Sequence, residues 1–186
     1  MPAADRRTAI AQAALPLIRK HGRATTTKQI AEAAGIAEGT IFRVFDSKEE
    51  IFEEVLAVAF DPAGFVADLQ AMDLGQPVRE RMIALTARMQ RNFLGIFELL
   101  TALALPRPPD RFRDKSAHKL RAEILALEAE VLAPDAGAFR LPVDEVVRML
   151  RLLTFSGSHP HISDGRIMSP EEIVDLVLHG TLRKDA

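Results

Sequence analysis

His159 and His161, with Asp164 close behind, are the residues of this chain best suited to holding a metal, because two imidazoles and a carboxylate match the preferences of zinc or nickel. A third firm ligand is missing, and a loop with two histidines reads more simply as surface, so neither a metal nor a cofactor is expected. Ser156-Gly157-Ser158-His159 sets hydroxyls beside an imidazole but lacks the G-x-S-x-G spacing of a nucleophile elbow. No glycine loop cradles a phosphate, no pair of carboxylates stands out, and no cysteine offers a thiolate or a disulfide. Catalysis is therefore not expected. The lack of cysteine fits a reducing cytoplasm, and no segment approaches the ~20 apolar residues of a membrane span.

What the residues do offer is positive charge, unevenly placed. The whole chain carries a net −2, yet residues 1 to 48 hold eight basic side chains (Arg6, Arg7, Arg19, Lys20, Arg23, Lys28, Arg43, Lys48) against four acidic ones (Asp5, Glu32, Glu38, Asp46), an excess of +4 that leaves −6 for the rest. Such asymmetry points to a cationic face for nucleic acid on an acidic body.

The elements that would position this charge lie between Thr25 and Lys48, a stretch with the form of two short helices around a glycine turn, a helix-turn-helix. Thr26 with Gln29 fits a capping box, so the first helix starts at Thr26 or Thr27, and Ile30 with Ala34 gives it an apolar stripe. Gly35 closes it in a left-handed conformation that costs glycine almost nothing. A second helix is expected from Glu38 to Phe45. The small residues Ala31 and Ala34 let the two helices approach, and Ile36 and Ile41 fill the space between them.

The run G-x-x-T-T-T-x-x-I-A-x-x-A-G-I-x-x-G-T-I-F-x-x-F-x-S-K-E-E-I, over Gly22 to Ile51, resembles the N-terminal DNA-binding domain of the TetR/AcrR family of bacterial transcriptional regulators. The resemblance implies an all-helical homodimer that reads a palindromic DNA operator, with half-sites one helical turn (about 34 Å) or a multiple of it apart. It also implies a pocket for a small-molecule effector. On the family pattern Gly39 lets the chain close to the phosphate backbone and Thr40 donates a hydroxyl there. Lys48 supplies a charge to phosphate, Thr26, Thr27 and Lys28 do similar work at the first helix, and Arg43 is the side chain best equipped to read guanine. Two departures stand out. Phe42 occupies a position where the family usually has tyrosine, so a phosphate-directed hydroxyl is missing while the ring can still touch a thymine methyl or sugar. Ala37 stands where a serine or threonine often caps the second helix, a loss of typically ~1 kcal/mol.

The rest of the chain reads as further helices, with no period-two alternation and no assigned strand. A first helix runs from Asp5 to His21, with a kink or split expected at Pro16, which costs about 3 kcal/mol inside a regular helix. Ser47 and Glu50 form a second capping box that opens a helix to about Phe60. Ala63 to Met72 is a short helix or a continuation, Pro77 to Leu105 holds one or two helices, and Leu120 to Val131 marks another. Pro142 is expected as the first residue of a helix running to Phe155, apolar around so much of its circumference that more than one side must be buried. A polar loop from Gly157 to Met168 follows. Ser169, Pro170 and Glu172 then cap a last helix. These last two helices are the candidates for the subunit interface.

A 48% apolar composition is enough for a core. The fold class is therefore all-α: a three-helix DNA-binding domain over residues 3–63, with its motif at about 26–45, followed by a helical ligand-binding and dimerisation domain over 64–186. Met82, Met89, Phe93, Phe97 and Leu100 are the candidate lining for a hydrophobic ligand. The function expected is transcriptional repression relieved by such a ligand. The alternatives are an activator or a regulator with no small-molecule inducer, and, from another class, a helical enzyme or carrier with a borrowed DNA-binding domain.

Overall fold

The computed structural model describes residues 3–112 and 114–181, and every described regular element is helical. The helices are α1 (Ala3–His21), α2 (Thr27–Ala34), α3 (Glu38–Ile41), α4 (Lys48–Ala59), α5 (Ala63–Gln70), α6 (Val78–Ala102), α7 (Lys115–Leu132), α8 (Val143–Ser158) and α9 (Pro170–Thr181). Short 3-10 turns lie at Gly22–Ala24, Asp110–Phe112 and Ala133–Ala138. The final residues assigned to the second domain, 182–186, lie outside the described residues.

Two compact units form. The first contains the chain before Pro62 together with Gly95–Phe112, and the second contains Pro62–Leu94 with the chain beyond Arg113. The boundary drawn at residue 63 thus misses a return: the end of α6 and the segment after it belong with the amino-terminal helices. The reason is burial. Leu99, Leu100 and Leu103 are part of the same apolar core as Ile10, Ile18, Ile30, Ile41, Phe45 and Ile51, and each such side chain gains about 1.5–3 kcal/mol by leaving water.

Within this unit α1 is not split at Pro16. The proline is exposed, as is Gln12 four residues earlier, so the carbonyl left without its helical donor can turn to water. Ile10, Ala11, Ala14 and Ile18, on the opposite face, are almost fully buried and hold the helix in one piece. Arg7 fastens the unit from α1. It donates to the carbonyl of Val44 at 2.7 Å, pairs with Glu50 and Glu54 of α4 at 3.4 Å each, and lies 4.3 Å from the centre of the Phe45 ring.

α6 is one continuous helix, and in the part of it that belongs to the second unit Met82, Leu85, Met89 and Phe93 form the buried stripe. Arg81 is buried. It donates to the carbonyls of Leu74 and Val131 and pairs with Asp135, which satisfies a charge that would be prohibitive alone. Gln90 donates to Ser158 Oγ at 3.1 Å and to the Met168 carbonyl at 2.7 Å. These bonds explain why α8 extends past Phe155 to Ser158: Gly157 and Ser158 are interior, and a Cβ on Gly157 would come within 2.9 Å of Met168 Sδ. Pro142 is the N-cap of α8, not its first residue. Val146, Val147 and Leu150 bury one side of α8, while Leu152 is 57% exposed, and Leu176 on α9 is 56% exposed. Among the described residues α8 is covered on one side only. The capping box at Ser169 and Glu172 is formed in both directions, at 3.2 and 2.9 Å.

Candidate nucleic-acid interface

The geometry of the motif begins with local hydrogen bonds. Thr26 accepts from the Gln29 backbone N–H at 3.2 Å, and the Gln29 side chain accepts from the Thr26 N–H at 2.8 Å, so α2 starts with a reciprocal capping box. Gly35 ends it at φ 66°, ψ 33°, a left-handed conformation that would cost another residue roughly 1–2 kcal/mol. The chain then enters α3 at Ala37, which has no side chain to cap it.

α3 is shorter than the Glu38 to Phe45 expected. Regular helix ends at Ile41, and the chain continues through i to i−3 bonds from Arg43 to Thr40 and from Val44 to Ile41, with a last four-residue bond from Phe45 to Ile41. An uncapped start and the run Thr40, Ile41, Phe42, Val44, Phe45, all β-branched or aromatic, give this segment low intrinsic helicity. Ile41 and Phe45 are buried and hold it in place by packing.

The candidate residues fall on the outer side of this arrangement. Thr26, Lys28, Gly39, Phe42 and Arg43 are exposed, and Thr27, Thr40 and Lys48 are half-buried. Lys28 and Arg43 make no ion pair among the described residues. Phe42 is 57% exposed. A Cβ built on Gly39 would meet nothing within 4 Å, and its φ is not left-handed, so no demand inside the unit calls for glycine there. Lys48 is already engaged: its Nζ donates to the Arg23 carbonyl at 2.6 Å and lies 5.3 Å from the Phe52 ring centre. Ser47 accepts from the Glu50 N–H, but the Glu50 carboxylate accepts from the N–H of Asp46, one residue beyond the expected capping partner, because Arg7 draws it aside.

The charge excess needs correction. Four acids just past residue 48, Glu49, Glu50, Glu53 and Glu54, cancel the excess of four, and two of the eight bases are paired with them: Arg7 with Glu50 and Glu54, Arg23 with Glu49 at 3.1 Å. The unit is not cationic as a whole. What remains is a local face on which Lys28 and Arg43 stand beside hydroxyls, with Glu38 among them. Sequence reading also missed Arg7, which it counted only as charge; its spacing to Val44 and Glu54 leaves no local signature.

The five ligand-lining candidates are divided between the units. Met82, Met89 and Phe93 are buried in the second, whereas Phe97 and Leu100 belong to the first, Leu100 in its core. A cavity of about 190 Å³ in the second unit is lined by Leu69, Gln70, Met72, Leu74, Leu127, Glu130 and Val131, none of them a candidate. The His159 and His161 rings lie 5.9 Å apart between centres, and among the described residues no group of three metal-ligating side chains is gathered. Glu128 of α7 is buried against Arg151 of α8 at 2.6 Å, and burial pushes its carboxyl up to about 7 while Arg151 pulls it down.

An all-helical chain with a capped α2, a left-handed glycine turn and a short, outward-facing α3 defines a helix-turn-helix protein. Residues 10–55 match the bacterial regulatory proteins of the tetR family. These residues carry the amino-terminal domain of that family, and the fold of the described chain resembles that of solved tetR-family structures. The HTH-type transcriptional repressor KstR2 of Rhodococcus jostii (strain RHA1) is 43% identical over 65 residues, which make up 34% of this chain and 29% of the relative. The uncharacterized HTH-type transcriptional regulator YvkB of Bacillus subtilis (strain 168) is 42% identical over 66 residues, 35% of each chain. The match therefore takes in well under half the length of either relative. A tetR-family transcriptional regulator from Streptomyces coelicolor shares the fold over 97% of this chain and 80% of its own, with a TM-score of 0.60 at 20% identity. No described helix is long and apolar enough to cross a membrane.

Proposed function

We propose that this chain is a sequence-specific DNA-binding transcriptional regulator of the cytoplasm that acts as a homodimer on a palindromic operator. The observation that carries the DNA-binding reading is Gly39. Glycine in a helix costs about 0.5–1 kcal/mol relative to alanine, and the space around this one is open, so nothing within the chain offsets that cost. Close approach of a phosphate backbone does. Thr26, Thr27, Lys28 and Thr40 then supply donors to phosphate, Lys48 adds charge once it leaves the Arg23 carbonyl, the exposed Phe42 ring meets a sugar or thymine methyl, and Arg43 reaches a base edge.

The chain is further proposed to be a repressor released by a small hydrophobic ligand. The relative from Rhodococcus jostii is named a repressor, which favours repression over activation. Met82, Met89 and Phe93 offer flexible apolar lining in the second unit, and release requires only that the ligand prefer the DNA-free conformation. Leu152 and Leu176 supply the apolar surface that two copies would bury. A gel shift with duplex from upstream of the protein's own gene tests the first claim, and a mass measurement in solution tests the dimer. A protein that ignores every duplex at low salt overturns the reading.

A further inference from the structure

Glu128 is fully buried, and only half of its carboxylate is used. Oε1 accepts from Arg151 Nη1 at 2.6 Å, while Oε2, also buried, has no hydrogen-bond partner among the described residues. Protein interiors satisfy such atoms with great regularity, because an unpaired one forfeits its hydration for nothing. Protonation relieves the buried charge but not the missing bond: a carboxylic acid turns that oxygen into a donor, and among the described residues it has no partner to donate to.

Two aromatic rings stand close to this pair. The Arg151 side chain is 23% exposed, whereas that of Glu128 is fully buried. The Arg151 guanidinium lies 5.2 Å from the centre of the buried Phe93 ring, and Phe93 meets Phe155 edge-on at 5.4 Å. Phe155 stands one helical turn beyond Arg151 and is 40% exposed. Exposure within the chain falls from Phe155 through Arg151 and Phe93 to Glu128. Thr86 lies two turns before Phe93 on the same stripe of α6, and its buried hydroxyl likewise has no hydrogen-bond partner among the described residues.

We propose that Glu128 anchors a small-molecule site in this unit, and that the ligand is an aromatic or alkyl ammonium compound. Its N–H donates to Oε2 and its apolar part packs against Phe93 and Phe155, while Arg151 swings toward solvent as the displaced counter-ion. An anion would bring a second negative charge to Glu128 and leave Oε2 unpaired; a neutral hydrocarbon would leave it unpaired as well. The assignment rests on the reading of the chain as ligand-responsive and gives that ligand a chemical class.

The test uses the full chain and three probes of matched size: phenethylammonium, phenylacetate and phenylethanol. Titration calorimetry and thermal unfolding are expected to show binding of the ammonium compound well above the other two. Glu128→Gln weakens the ammonium compound about ten-fold or more, the loss of a charge-assisted bond. Arg151→Ala strengthens it several-fold by removing the competing cation, a gain that a merely structural pair would not give. Equal binding of all three probes, no binding of the ammonium compound at millimolar concentration, or an unchanged response in Glu128→Gln overturns the site. If Glu128→Gln does not fold, failure of Arg151→Ala to tighten binding overturns it. The broader reading fails separately: Glu128-dependent binding that leaves DNA affinity unaltered upholds the site and sinks the effector role.

Discussion

The hydroxyl of Thr27 lies 2.5 Å from Oε1 of Glu38, so the first residue of α2 is bonded to the first residue of α3 through a carboxylate. This negative charge stands among the groups proposed to meet phosphate. Glu38→Gln keeps an oxygen for Thr27 and removes the charge. Affinity for all duplexes is expected to rise roughly two- to five-fold at low salt, the size of an exposed charge interaction, with the difference shrinking as salt is added. Fluorescence anisotropy across a salt series reads this directly, and equal affinity at the lowest salt would mean that phosphates pass elsewhere.

Gly39→Ala separates stability from binding. With open space around the position, alanine should raise the unfolding free energy by about 0.5–1 kcal/mol while operator affinity falls. Urea titration and anisotropy on the same sample are sufficient. Retained affinity removes the reason offered for glycine at this position.

Arg43→Ala and Lys48→Ala should fail differently. Loss of a phosphate contact at Lys48 weakens every duplex alike and lowers the salt slope by about 0.9. Loss of a base contact at Arg43 relaxes preference at one position of the operator by ~1–3 kcal/mol. A panel of single-base operator variants distinguishes the two.

Gly22→Ala and Gly35→Ala both place a side chain at positive φ, but only one of them collides. A Cβ on Gly22 would come 2.4 Å from the carbonyl oxygen of Ala102, whereas on Gly35 it would meet nothing within 4 Å. Gly35→Ala should therefore cost about 1–2 kcal/mol, the left-handed penalty alone. Gly22→Ala adds overpacking of ~1–3 kcal/mol to that penalty. Denaturant midpoints of the two variants check the difference.

The Glu128 carboxyl, raised from 4.5 to about 7 by burial, makes stability depend on pH with a defined sign. Between those values the unfolded chain has released a proton that the folded chain keeps, so the folded state loses ground as pH rises. The contribution is whole below 4.5 and lost above about 7, with a size on the order of 3 kcal/mol. Glu128→Gln should flatten the unfolding free energy across this window, and an unchanged pH profile would count against the buried carboxyl as its source.

The parts of the fold legible from sequence are those set by neighbouring residues. Thr26, Gln29 and Gly35 act within one turn of the backbone they shape, so the limits of α2 could be read directly. The split expected at Pro16 did not occur, because its cost depends on whether Gln12 faces water, which periodicity does not state. The length of α3 turned on Ile41 and Phe45 packing into a core assembled from distant helices. The cationic excess came from stopping at Lys48: the acids that offset Arg7 and Arg23 come immediately afterwards, and pairing is settled in space. Leu100 was grouped with Met82 and Met89 by its spacing along α6, yet a helix of that length can serve two cores, and nothing local marks where one ends.

The return of Leu99, Leu100 and Leu103 to the amino-terminal core sets a limit on dissection. A fragment ended at Asp61 would leave Ile10, Ile18 and Ile30 without part of their covering, and Gly22 without the carbonyl that presses on it. Grafting the motif onto another protein therefore calls for a substitute lid over that gap, because the part that would touch DNA is completed by chain lying more than thirty residues downstream of it.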